Sequence, residues 1–505
     1  MEPHFSRRRL IVPAALAVLG LALAGCSGTT GDTDTDSSTL TIANMQAITS
    51  FNPTDVADGY MIQFLQPVYE TLTHITAAGE IEPGLAQSWK YTDAAQTVLD
   101  LKIRAGAQFA NGDTLDAAAV AKSLTRFGAE KDSATSSIAS AEAIDPTTVR
   151  VHLSAADPGL LYNFGKSAGM IVDTASDNHT LDTKPSGSGP YVLDDSQSVA
   201  GDHYTYTRNK RYQGQISYPY DKVVIKVVED ATARLNAVAS GQADVTSGDS
   251  TTFTEAQSRG LTVTRSPGDT REISIIDRNG VKQPVLGDLR VRQAIAYAID
   301  RDKLLTAADQ GNGKVVSQIF NTKSQAYDPD YVYPYAYNPT KAKELLAAAG
   351  HPNGLTLTLP TNAFYPQYQD LIGKYLNDVG IKIHWVTTTL AQGAQPYTST
   401  DFSILISSWG TSNPWVDITG QVTPNASFNP YHSTDAKVSA LLSTIRTTQG
   451  AQQESAYREL SRYLSDQVWF VPLFEVDNYH LSTKSVKVTP QFGQVVPFLN
   501  DYAKS

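Results

Sequence analysis

Cysteine is almost missing from this 505-residue chain: Cys26 is the only one, so no disulfide can close within it and no cysteine-based zinc or iron–sulfur site can be assembled. Histidine offers no substitute. The nine histidines are scattered singly, without a His-Glu-x-x-His or a pair at helical ligand spacing, which leaves a metal hydrolase without support. Positive charge is also short, with 40 Lys plus Arg against 51 Asp plus Glu and a formal net charge of -11. A surface of that sign is not built to neutralise phosphates, which argues against nucleic acid as a partner. Past residue 24 no uninterrupted apolar run reaches the ~20 residues of a membrane-spanning helix. What the chain does have is 41% hydrophobic residues over a length well beyond one small domain, enough for two or three lobes held together by packing.

The lone cysteine sits at an informative place. Arg7, Arg8 and Arg9 lead into an apolar stretch over residues 10–24 that ends in Leu23-Ala24-Gly25-Cys26. This resembles a bacterial lipoprotein signal peptide, with a basic start, a short apolar segment and small residues before the cleavage point. Residues 1–25 are expected to be removed and Cys26 to carry lipid. Residues 26–38 are then a flexible tether, because Gly, Thr, Asp and Ser offer nothing to bury. The expected location is the extracytoplasmic face of the cell membrane, in the periplasm or cell-wall space.

Further along, period-two runs mark strands around Leu40 and Ile42, over 98–103, over 149–153 and over 223–227. Asp116 and Asp288 read as caps of amphipathic helices, the second with Val291, Ile295, Ala298 and Ile299 on one face. Asn338-Pro339 opens another helix, which Gly350 ends. A strand with Leu355, Leu357 and Leu359, a helix with Ile372, Leu376 and Val379, and a strand with Ile381 and Ile383 then make a β-α-β unit. The class is α/β.

Enzyme chemistry finds little footing. Ser186-Gly187-Ser188-Gly189-Pro190 lacks the five-residue nucleophile elbow and reads as a turn. Residues 310–315 lack the first glycine and the hydroxyl of a phosphate loop and read as a loop between helices. Aromatic residues near strand ends stand out instead, among them Phe364, Tyr365, Trp409, Trp415, Phe428 and Tyr431. With Ser, Asn and Gln between them they suit a site that stacks and hydrogen-bonds a polar organic solute. Trp469 and Phe470, leading into Val471-Pro472-Leu473-Phe474, read as core.

Several short segments carry a family likeness. They are Val68-Tyr69-Glu70-Thr71-Leu72, Pro83-Gly84-Leu85-Ala86-Gln87-Ser88-Trp89 with Phe109-Ala110-Asn111-Gly112, Gly187-Ser188-Gly189-Pro190-Tyr191, Ala239-Ser240-Gly241-Gln242-Ala243-Asp244 and Asp288-Leu289-Arg290-Val291-Arg292-Gln293. In this order the chain resembles the family 5 extracytoplasmic solute-binding proteins of ABC importers, which include dipeptide- and oligopeptide-binding proteins. The resemblance implies a two-lobed Venus-flytrap fold. It implies a first lobe from 39–75, 185–271 and 476–505, an inserted subdomain at 76–184 and a second lobe at 272–475. The hinge crossings would fall near residues 271–273 and 475–478. Closure around a solute would present a surface to the membrane permease, without covalent chemistry, cofactor or metal, and the receptor is expected to be a monomer.

The resemblance also nominates the wall of the cleft: Gln46 and Ala47 after the opening strand, Arg271 and Glu272 at the hinge, and Asn362, Phe364 and Tyr365 after a strand of the second lobe. Peptide-binding members place an aspartate three residues after a tryptophan to receive the peptide's α-amino group. Here Trp409 matches the tryptophan, Ser412 stands in the acidic place, and Asn413-Pro414 replaces an Asp-Pro. A buried ammonium needs a carboxylate, so either Asp417 substitutes or the solute lacks a free amine. A peptide-like solute is the leading expectation. An oligosaccharide or opine-like solute is the alternative, and a sensory receptor or a cell-wall hydrolase are rivals of another class.

Overall fold

The computed structural model describes residues 38–56, 59–129, 135–173, 178–361, 366–389, 392, 395–409 and 413–505. Cys26 and its leader, Asn362, Phe364, Tyr365 and Ser412 lie outside the described residues.

Nine strands join in one sheet. The opening strand Thr39–Asn44 lies parallel to both of its neighbours, Lys222–Val227 and Val245–Gly248. Outward on one side come His203–Arg208 and Tyr191–Leu193, and on the other Phe470–Ser482, Thr262–Ile275 and Ile404–Trp409. The alternation of Leu40, Ile42, Val223 and Ile225 buries these side chains in one apolar core with Phe64, Tyr206 and Tyr502. Each such burial contributes about 1.5–3 kcal/mol.

Two strands are long enough to belong to more than one layer. Thr262–Ile275 and Phe470–Ser482 pair antiparallel from Thr262↔Ser482 to Ser274↔Phe470. Their register breaks between Pro267 and Thr270 and again between Arg271 and Glu272, as bulges that bend a strand do. Beyond the bulges, Ile273, Ile275, Val471, Leu473 and Phe474 enter a second core with Ile295, Leu357, Ile372 and Ile406. That core includes the β-α-β unit, in which Leu355–Pro360 and Ile381–Val386 pair in parallel around the helix Pro366–Asp378. Asn338 caps the helix Pro339–Ala348 by accepting from the Lys341 N–H at 2.9 Å.

A third core gathers Leu99, Leu101, Val149 and Val151 of a separate four-stranded antiparallel sheet beneath Val120 and Leu124 of the helix Ala117–Ala129. Asp116 caps that helix through the Ala118 and Ala119 N–H groups. The turn at 186–190 meets the first core closely: a Cβ at Gly187 or Gly189 would lie 2.4 Å from the Val68 backbone. Only glycine fits there.

One segment differs from its sequence reading. Gly313–Val315 is a strand, not a loop between helices, and pairs with residues 474–476. Val245–Gly248 covers the long strand only over residues 479–482, so the edge at 474–476 carries backbone groups that Gly313–Val315 satisfies. Trp469 and Phe470 are buried, as their setting suggested.

Candidate functional site

Adjacent residues of a strand point to opposite faces, and paired residues of antiparallel neighbours share a face. Thr270, Glu272 and Ser274 therefore face one way with Trp409 and Ser407, while Arg271 and Ile273 face the other with Ser408 and Ile406. Arg271 and Glu272, nominated together, are separated by the sheet.

On the first face Glu272 is fully buried. Its Oε1 accepts from the hydroxyls of Ser274 at 2.8 Å and Ser407 at 3.3 Å, and Oε2 makes no hydrogen bond among the described residues. Loss of solvent raises its pKa to about 7, against the pull of the two serine hydrogen bonds. The nearby Asp417 carboxylate adds to the rise.

Asp417 lies in the first turn of the helix Pro414–Gln421 and is buried. Its Oδ1 accepts from Trp409 Nε1 at 2.9 Å. The same helix holds the far edge of the indole: a Cβ at Gly420 would sit 2.4 Å from Trp409 Cζ2, so glycine lets the ring lie against the helix backbone. Phe428 packs edge-on to it with ring centroids 4.7 Å apart. Trp409 is thus pinned at its nitrogen, its ring edge and its flank, yet half-exposed, which makes a rigid platform for stacking. Asn413 caps the helix, its Oδ1 accepting from the Trp415 and Val416 N–H groups at 3.0 and 3.4 Å.

On the opposite face Arg271 hydrogen-bonds Ser408 and lies 3.7 Å from Asp269. Tyr368, beside it, donates to Asp309. Only 12% of the Arg271 side chain is exposed, so its charge is largely spent inside this cluster.

Gln46 and Ala47 follow the opening strand at the carboxyl ends of its parallel neighbours, where open α/β sheets place ligands. Gln46 is exposed and its N–H donates to Asn44 Oδ1 at 2.9 Å. Asn44 is itself fixed by Gln63 at 2.9 Å, and Gln63 by the Tyr502 hydroxyl at 2.7 Å. The loop therefore leaves a rigid strand end.

A contact joins the helix Pro414–Gln421 to the segment around residue 159. A Cβ at Gly159 would lie 3.0 Å from Trp415 Cδ1 and 3.1 Å from Val416 Cγ2, and Val416 packs against the first core. Sequence reasoning passed over Gly159 and Gly420. Gly420 carried a signal, since glycine inside a helix costs about 1 kcal/mol and marks a close approach.

Residues 80–422 match the bacterial extracellular solute-binding proteins, family 5 middle. The chain belongs to that family. Heme-binding protein A of Haemophilus influenzae is 26% identical over 388 residues, covering 68% of this chain and 70% of its own. The glutathione-binding protein GsiB of Shigella flexneri is 25% identical over 500 residues, covering 92% and 93%. Among solved structures, the ABC transporter-associated periplasmic binding protein DppA of Helicobacter pylori, in complex with the peptide STSA, superposes with a TM-score of 0.79. It is 21% identical, with 92% of this chain and 98% of that chain covered. The fold is the two-lobed α/β fold of periplasmic binding proteins, and the family 5 chain is a solute receptor of an ABC importer. These relatives are named for the solutes they bind, not for a reaction. Among the described residues no helix is long and apolar enough to cross a membrane.

Proposed function

We propose that this family 5 receptor captures a peptide-like solute in a cleft between Trp409 on one side and Gln46 and Ala47 on the other, and passes it to a membrane permease. The observation that carries this reading is Trp409, held rigid by Asp417, Gly420 and Phe428 while half-exposed. A platform fixed before the solute arrives loses little entropy on binding. Asp417 acts behind it, orienting the indole. Residues 39–75, 185–271 and 476–505 form the first lobe with 76–184 inserted, and 272–475 the second. The bulges at 267–272 serve as the hinge, and closure gains its free energy from contacts that the solute makes to both lobes. Cys26 carries the lipid that holds the receptor at the membrane.

Thermal shift and calorimetry against di- to tetrapeptides and glutathione test the reading, because binding to the folded state raises the melting temperature. Trp409→Ala is expected to weaken binding by about 1–3 kcal/mol with little change in the melting temperature of the free protein. An unchanged Kd would remove Trp409 from the site.

A second reading, a solute without a free amine, is favoured by one contact. Asp417, the nearest replacement for the family's aspartate, is buried and already accepts from Trp409. N-acetylated peptides or opine-like conjugates binding more tightly than their free-amine counterparts would decide for it.

A further inference from the structure

Three segments meet at the end of the central sheet where Ser38 leads into the opening strand. The Ser38 carbonyl accepts from the Asp221 N–H at 2.7 Å and the Lys222 N–H at 3.2 Å, and Thr39 pairs with Lys222. The loop that joins His203–Arg208 to Lys222–Val227 closes at this end. The C-terminal strand pair reaches it as well. Thr483 donates to the Asp244 carbonyl at 2.9 Å, Asp244 donates to the Thr41 carbonyl at 2.8 Å, and Val486 lies opposite Lys504. Lys504 Nζ sits 5.5 Å over the ring of Tyr220, beside Asp221, and so joins the two segments.

The charge here is opposite to that of the chain. Residues 208–222, 483–489 and 502–505 hold seven Lys and Arg and one acidic side chain, Asp221, where the whole chain has 40 against 51. Asp221 lies 3.6 Å from Arg208. The acids next to the patch are committed: Asp244 is half-buried and accepts from the Thr41 N–H at 2.7 Å, and Asp501 is buried. Even with the Ser505 carboxylate counted, cations lead seven to two. Lys210, Lys222, Lys484, Lys487 and Lys504 make no ion pair and no side-chain hydrogen bond among the described residues, and all but Lys222 are exposed.

A cationic patch on an acidic protein fits an anionic surface, and its place decides which one. Only residues 26–37 separate Cys26 from Ser38, a length that spans at most about 40 Å when fully extended. A lipid on Cys26 ties this end of the sheet to the bilayer within that reach. Attraction to anionic headgroups fades beyond a Debye length of ~8 Å at physiological salt, so it acts once the lysines meet the surface.

We infer that this lysine-rich end is a membrane-contact face, which lies on anionic headgroups and orients the anchored receptor. The inference rests on Cys26 as the anchor. Gln46 and Ala47 follow the other end of Thr39–Asn44, about 20 Å away along the strand. The contact therefore turns the first-lobe wall of the cleft away from the bilayer, toward the side from which solute arrives.

Amine acetylation of the lipidated protein, reconstituted in phosphatidylcholine vesicles with and without phosphatidylglycerol and read at each lysine by mass spectrometry, tests it. Phosphatidylglycerol is expected to slow Lys210, Lys484, Lys487 and Lys504 about fivefold at low ionic strength, and molar salt to remove the difference. Lys343 and Lys382, exposed and within residues 272–475, should react equally in both vesicles. With Lys484→Glu, Lys487→Glu and Lys504→Glu combined, all at exposed positions, Lys210 should lose its protection. Four results would each overturn the inference: equal rates in the two vesicles, slowing that survives molar salt, equal slowing of Lys343 and Lys382, or a Lys210 still protected in the triple variant. Failure to float with phosphatidylcholine vesicles would remove Cys26 as the anchor and the inference with it, whereas floating with equal rates overturns the membrane-contact face alone.

Discussion

Burial of Glu272 beside Ser274 and Ser407 raises its pKa from 4.5 to about 7, because the ionised carboxylate finds neither water nor a cation close enough to offset its desolvation. The folded state therefore keeps a proton that the unfolded chain releases, and the contribution of Glu272 to stability falls as pH rises from 4.5 to about 7. Glu272→Gln keeps both serine hydrogen bonds and removes the charge. Relative to wild type, the variant should gain nothing below pH 4.5 and about 3 kcal/mol above pH 7. Urea unfolding at pH 5 and pH 8 reads this directly, and an equal difference at both pH values would show that Glu272 does not titrate. The same position shows what strand periodicity could have told in advance. Residues one apart on a strand face opposite ways, so Arg271 and Glu272 could not both address one ligand end.

The helix Pro414–Gln421 is the element on which the site turns. Its start was legible as Asn413-Pro414, a cap followed by a first-turn proline, although family likeness had assigned Asn413 to the solute. In the structure its Oδ1 serves the helix. One side of the helix carries Trp409 on Gly420 and Asp417, and its first turn rests on Gly159 through Trp415 and Val416. Gly159 has an ordinary φ of -95°, so a side chain there acts by bulk and not by backbone strain. Gly159→Val is expected to push the two segments apart, enlarge the radius of gyration in small-angle scattering with solute present, and weaken solute binding roughly tenfold. Scattering curves identical to wild type would show that this contact does not limit closure.

At the scale of the whole molecule, several apolar cores are strung along one chain, and the long strands Thr262–Ile275 and Phe470–Ser482 run from the central sheet into the second core. Opening of a cleft is expected to bend these strands while the cores move as rigid bodies. The anchor is expected to be independent of this movement. Cys26→Ser should shift the protein from the membrane to the soluble fraction and leave the solute-induced rise in melting temperature unchanged. Retention in the membrane fraction would exclude Cys26 as the anchor.

Strands, helices and their ends were readable from the amino-acid order, because period, caps and terminating glycines are local: Asp116, Asn338 and the alternation at Leu40 and Ile42 act on neighbours a few residues away. The family was readable for a related reason, since its short segments keep their order along the chain. The tertiary structure alone decided that Arg271 and Glu272 lie on opposite faces of the sheet, that Asp417 is buried and holds the Trp409 indole, and that Asp157 and Arg446, far apart in the chain, line one groove. Those outcomes depend on which strands become neighbours and on which side chains press against the backbone at Gly159 and Gly420; a glycine inside a helix marks a close approach, but no local pattern names its partner.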